Sequence, residues 1–152
     1  MQTNQLIYAS TANKSMSYDE ISDLAKKASQ KNETLGLTGF LVYNNNHFLQ
    51  VLEGPQSTLN ELYLKISNDP RHSDVRLLNY SKIAFRHFKE WNMGCMFLET
   101  QPKIKKIVNE YFKYGEFTPY NLSPEVSNLF MNEVYQCYKN SLYFMVNNQT
   151  SA

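Results

Sequence analysis

The stretch GLTGFLVYNNNHFLQVLEGP, residues 36–55, constrains this chain more than any other. Two apolar runs, residues 40–43 and 48–52, flank Asn44-Asn45-Asn46. Asparagine tolerates left-handed backbone angles, so a short Asn-rich loop between β-rich runs reads as the turn of a hairpin. Within the second run one residue does not belong. Gln50 is its only polar side chain, and strand alternation puts it on the same face as Phe48 and Leu52. A buried amide without partners costs about 1–3 kcal/mol. Something polar must therefore meet Gln50 from that face, either protein or ligand.

Around the hairpin the chain alternates strands and helices. Leu6-Ile7-Tyr8-Ala9 reads as a first strand, with Leu6, Tyr8 and Ser10 on one face. Ser17 and Glu20 make a capping box for a helix to about Lys31, whose stripe is Ile21, Leu24, Ala25 and Ala28. Gly54-Pro55 ends the hairpin and opens a second helix carrying Leu59, Leu62, Tyr63 and Ile66. That helix stops near Asn68, because Asp69 precedes a proline. Residues 75–84 read as a long strand, 86–91 as a loop and 93–98 as a last strand with Met93, Cys95 and Phe97 on one face. The order β-α-β-β-α-β-β is that of a ferredoxin-like α+β sandwich. Each helix has a single apolar stripe, so both are expected on one face of a five-stranded mixed sheet.

Beyond Pro102 the pattern is helical. Ile104, Ile107, Val108, Tyr111 and Phe112 predict an amphipathic helix closed by Gly115. A last helix from Ser123-Pro124-Glu125 through about Met145 carries Val126, Leu129, Phe130, Val134, Cys137 and Tyr138, and residues 147–152 are expected to fray. This pair is too small for a domain. It must cap the open face of the sheet or dock on another subunit, so the chain divides into residues 1–99 and a C-terminal helical extension, 100–152.

Composition removes several function classes. The 152 residues are 42% hydrophobic, enough for a core, yet mean hydropathy is −0.51 and no run nears the ~18 apolar residues of a spanning helix. MQTNQLIYAS lacks the charged-then-apolar order of a secretory signal, so a cytoplasmic protein without membrane association is expected. A formal charge of +1 leaves no footprint for nucleic acid. Cys95 and Cys137 have no metal-ligand spacing and read as core residues, so no metal is expected. There is no Ser/His/Asp set, P-loop, GxGxxG or HExxH, and His47, His72 and His87 are scattered. What stands out instead is a set of polar residues within apolar strands or at helix ends: Tyr8, Asn32, Gln50, Asp69, Arg71 and His72. Singly, Tyr8 reads as a half-buried strand tyrosine and Asn32 as a helix cap. Together they suit a flat aromatic ligand in a cleft between two helices, with Arg71 and His72 holding a phosphate.

LIYAS (6–10), NETLGLTGFLVYNNNHFLQVLEGP (32–55), NDPRH (68–72) and RHFKEWNMG (86–94) carry a resemblance. Residues 5–97 resemble the BLUF family, blue-light sensors using flavin, and the helical remainder looks like the short type without an effector enzyme. The resemblance implies a non-covalent flavin, FAD first, with FMN or riboflavin as alternatives. It places Tyr8 and Gln50 in a hydrogen-bonded chain to the flavin, Asn32 on the ring's polar edge and Lys65 near the other carbonyl edge. Asp69, Arg71 and His72 fall toward the ribityl and phosphate end, and Trp91 and Met93 link the pocket to the outside. Light is expected to move an electron and a proton from Tyr8 through Gln50, leaving Gln50 in a new hydrogen bond and the absorption slightly red-shifted. A non-enzymatic photoreceptor follows, self-associating and signalling to a downstream regulatory protein. A flavin oxidoreductase and a light-insensitive interaction module of the same fold are the alternatives. Two positions depart from the family pattern: Lys31, where Asn or His is common, and Ala28, where Ser is common. The Tyr and Phe side chains of residues 135–144 are expected to be exposed for a partner.

Overall fold

The computed structural model describes residues 3–98 and 102–150, with side chains as far as residue 140. Its elements are β1 (Thr3–Ala12), α1 (Tyr18–Leu35), β2 (Thr38–Asn44), β3 (His47–Gly54), α2 (Gln56–Ser67), β4 (His72–Ile83), β5 (Gly94–Phe97), α3 (Pro102–Tyr111) and α4 (Pro124–Thr150). The five strands lie in the order β4-β1-β3-β2-β5, antiparallel except for the β2–β5 pair. This is the expected α+β, ferredoxin-like arrangement.

Local chemistry explains the framework. Asn45 and Asn46 both take positive φ, 51° and 62°, which sets the tight turn of the β2–β3 hairpin and its register, Leu41 opposite Gln50. Ser17 caps α1 reciprocally with Glu20, and Gly36 at φ 70° ends it. Gly39 has a packing reason: a Cβ there would collide with the Val51 carbonyl across the hairpin.

The sheet then sorts side chains by parity. Leu41, Tyr43, Phe48 and Leu52 face α1 and α2, where they meet Ile21, Ala25, Leu59 and Met93. Ile7, Ala9, Phe40, Val42, Leu49 and Val51 face the other way, against Ile104 and Val108 of α3 and Phe130, Met131, Val134 and Tyr135 of α4. The C-terminal helices therefore cap the open face and share its core.

Five expectations need correcting. The helix α1 runs four residues past Lys31, so Asn32 lies in its last turn; the cap is Gly36, whose φ no side chain adopts as easily. The strand β4 begins at His72 rather than at residue 75, because pairing with Ala12 extends it. The helix α4 continues to Thr150 instead of fraying from 147. Its buried stripe is rotated: Ser127, Phe130, Met131, Val134 and Tyr135 are covered, whereas Leu129 is 58% exposed. Ser127 can be buried because its hydroxyl donates to the Pro124 carbonyl at 2.7 Å, within its own first turn. Tyr135, expected to be exposed for a partner, is fully covered by the sheet; the rest of that stretch beyond residue 140 lies outside the described side chains. Among the described residues no helix is long and apolar enough to cross a membrane.

Candidate functional site

Between α1 and α2, over the helix-covered face of the sheet, lies a cavity of about 420 Å³. Tyr8, Asn32, Gln50, Lys65, Asp69, Arg71 and His72 all line it. Leu24, Ala28, Leu41, Phe48, Leu62 and Ile66 supply its apolar walls. Lys27 and Lys31 also line it. Lys27 is marked in the sequence only by its spacing: it lies three residues past Leu24 and one before Ala28, at the margin of the apolar stripe.

The floor is built by pairing. Tyr8 of β1 and Gln50 of β3 are directly opposed in an antiparallel ladder, which brings their side chains together on one face. The Tyr8 hydroxyl donates to Gln50 Oε1, and Gln50 Nε2 lies 3.4 Å from Met93 Sδ. This orients the amide. Its oxygen is held by a phenol, while its NH₂ meets a thioether, a weak acceptor. Burial pushes the Tyr8 hydroxyl well above the ordinary phenol range, and the charges of Asp69 and Tyr63 act in the same direction against a smaller pull from Arg71. Tyr8 therefore keeps its proton throughout the physiological range.

The end of α2 is fastened to the floor through His72. Its Nε2 donates to the Ile66 carbonyl at 2.5 Å, so in the neutral ring Nδ1 accepts from Ser10 Oγ at 2.8 Å. Beside it Arg71 Nη2 and Nε donate to the Asp69 carboxylate at 2.5 and 3.0 Å. These bonds hold the Asp69 carboxyl down to about 2, against a partial opposing effect of burial. Arg71 is thus positioned but largely neutralised by its neighbour. Lys27, Lys31 and Lys65 supply the remaining positive charge of the lining.

Asn32, 2% exposed, donates from Nδ2 to the Asn92 carbonyl at 3.0 Å, and Asn92 Nδ2 donates to the Leu37 carbonyl. One side of the cavity is thereby tied to the segment preceding β5. The two residues expected to link pocket and exterior part company there. Met93 turns inward to Gln50, whereas Trp91 packs against Tyr135 and Tyr138 of α4, at ring-centre distances of 5.5 and 5.1 Å. All the residues expected to hold the cofactor line this cavity, with Met93 beside Gln50; Trp91 lies across the sheet.

The family described as sensors of blue-light using FAD matches residues 3–94. The chain belongs to the BLUF family. Over 112 residues it is 36% identical to the photoactivated adenylate cyclase subunit beta of Euglena longa, an alignment that takes in 71% of the chain and 13% of that relative. The chain thus matches only a small part of its curated relatives. Among solved structures, the photo-activated state of BlsA superposes with a TM-score of 0.77 at 27% identity, covering 88% of this chain and 94% of BlsA. BlrB, a BLUF protein in its dark state, gives 0.74 at 26% identity over 90% and 97% of the two chains. This BLUF protein is therefore a blue-light sensor module using FAD, and both structural neighbours extend over most of its length.

Proposed function

We propose that Tyr8 and Gln50 form the light-driven hydrogen-bond switch of this sensor, in the cavity between α1 and α2. The observation that carries this reading is the Tyr8–Gln50–Met93 chain at the cavity floor. FAD would supply the absorption of blue light and, once excited, the capacity to accept an electron. The cavity suits it: apolar walls for a ring system, Gln50 and Asn32 for one polar ring edge, Lys65 for the other carbonyl edge, and Arg71 and His72 toward a phosphorylated tail, with Lys27 and Lys31 adding positive charge to the lining. His72 and Asp69 keep that cationic end in shape.

The chain's own part is the handling of one proton and one amide. Tyr8 holds its proton against Gln50 Oε1, so a proton leaving the phenol is received by Gln50. The amide NH₂ is held only by a thioether and is the end freer to turn. Reversing Gln50 presents NH₂ to the Tyr8 oxygen and moves the amide oxygen toward Met93, so the two arrangements differ by few contacts. Met93 then registers which end of the amide it faces. Tyr8→Phe and Gln50→Leu are expected to keep the flavin bound and lose the light-induced red shift. A normal shift in either variant refutes the scheme.

In this reading residues 1–99 are the photosensor and 100–152 the extension through which it signals, in the cytoplasm, to a regulatory protein partner and a second copy of the chain. The cover that α3 and α4 give to the sheet, and the likeness to BlsA and BlrB along nearly their whole lengths, support that division. Removing residues 124–152 is expected to abolish partner binding or change the oligomer size.

A further inference from the structure

On the face turned away from the cavity, a buried polar chain crosses an otherwise apolar layer. Gln5 and Glu53 are both 0% exposed. Glu53 Oε1 accepts the backbone N–H of Phe88 at 2.7 Å, and Glu53 Oε2 accepts from Gln5 Nε2 at 2.9 Å. Gln5 Oε1 in turn accepts from Asn128 Nδ2 of α4 at 2.9 Å and from Asn79 Nδ2 of β4 at 3.0 Å. A carboxylate only accepts, so it fixes the Gln5 amide one way round, with its oxygen free for the two asparagines. Each side-chain oxygen of the Gln5–Glu53 pair has a donor.

We propose that Glu53 is a positioning residue that couples the segment carrying Trp91 and Met93 to α4. This rests on the blue-light reading of the opposite face. Glu53 lies three residues from Gln50 on the same strand, on the other side of the sheet, so a displacement of β3 at Gln50 is felt at the carboxylate. The segment it holds has further ties to the same places. Arg86 Nη1 donates to the Glu53 carbonyl at 3.3 Å, and the Glu90 N–H donates to the Tyr135 hydroxyl at 3.0 Å. Tyr138 of α4 packs on the Trp91 ring, with centres 5.1 Å apart. The segment between β4 and β5 is therefore tied to β3 through Glu53 and to α4 through Tyr135 and Tyr138, while Asn128 joins α4 to the same carboxylate through Gln5. Buried polar networks of this kind specify one arrangement because a partly satisfied version is costly. The pair is suited to hold Met93 in register with α4, not to bind a ligand.

A swap tests it. Gln5→Glu puts two carboxylates face to face and breaks the chain. Adding Glu53→Gln restores every pair with the roles exchanged: the amide now at position 53 takes the Phe88 N–H on its oxygen and donates to the carboxylate at position 5, which still accepts from both asparagines. Hydrogen exchange at the Phe88 amide in the dark, the lifetime of the red-shifted state and the light-minus-dark exchange of α4 are read in the full chain loaded with FAD. Gln5→Glu is expected to raise Phe88 exchange and shift the lifetime, each by about tenfold or more, and the double variant to return both to near the starting values. Asn128→Ala, a milder cut, is expected to leave the red shift intact, change the lifetime by about fivefold and abolish the light response of α4. A double variant as perturbed as Gln5→Glu alone overturns the proposal. So does an Asn128→Ala chain whose α4 responds to light as before. If the unaltered chain shows no red shift, the blue-light reading falls, and Phe88 exchange in the dark still decides whether Glu53 is the anchor.

Discussion

The two faces of one sheet are built to opposite specifications. Toward α1 and α2, β1 and β3 present Tyr8 and Gln50 to a cavity that Lys27, Lys31, Lys65 and Arg71 also line. Toward α3 and α4, the same strands present Ile7, Ala9, Leu49 and Val51 to a close layer of aromatic rings. Phe40, Phe88, Trp91, Tyr135 and Tyr138 meet there at ring-centre distances of 4.9–5.5 Å. Alternation along a strand makes the division automatic. What it teaches is a separation of duties: the face with room to rearrange suits the proposed switch, and the close-packed face, with fewer arrangements open to it, is suited to carry the result.

The comparison can be broken most severely from the packed side. Phe130→Ala empties a fully buried site among Phe112, Phe117 and Tyr111 and is expected to cost about 3–5 kcal/mol in a denaturant titration. Phe48→Ala, at the cavity wall, should cost distinctly less in the flavin-free chain, because part of its surroundings is already open. FAD itself should sharpen the contrast: at about one hundred times its Kd it is expected to add about 2.7 kcal/mol, read as a rise in Tm. The rise should grow in Phe130→Ala only as mass action allows, and shrink when Lys31 and Lys65 are both changed to Gln.

The effects of pH are smaller, and opposite in place. Burial pushes the Tyr135 hydroxyl up to about 12. A group whose folded value is raised contributes stability that is full below the unfolded value near 10 and is lost as pH rises toward 12. Alkaline unfolding should therefore loosen the α4 face, together with Tyr8 on the other, across that window. Asp69, held down to about 2, works the other way: its contribution is present above about pH 4 and lost as pH falls toward 2. That loss should be slight, because the Asp69–Arg71 pair is open to solvent. Thermal melts at stepped pH check both signs.

Much of this was legible in the residues. The Asn-rich turn marks the β2–β3 hairpin, whereas the register that puts Tyr8 across from Gln50 comes from the pairing of β1 with β3, which the turn does not set. The single polar residue in an apolar strand marked the cavity floor correctly. Less legible was anything decided across the sheet. The length of α1 past Lys31 depends on a glycine cap beyond Leu35. The rotation of α4 depends on Ser127 bonding inside its own turn, which lets it be buried while Leu129 is not. The separation of Trp91 from Met93 depends on which face each neighbour leaves room for, and two residues apart on an irregular segment they need not share a face. Glu53 was hidden for a related reason: in a sequence it reads as the polar end of a strand, and only the fold supplies Gln5 and the Phe88 amide to it.

The central claim is that light resets the Tyr8–Gln50 pair. The most direct measurement is the absorption spectrum of the FAD-loaded chain in the dark and under blue light, with Gln50→Leu as control. A small, reversible red shift in the unaltered chain, absent from the variant, is the predicted result. A flavin band that bleaches to a reduced form, or a shift that persists in Gln50→Leu, contradicts it.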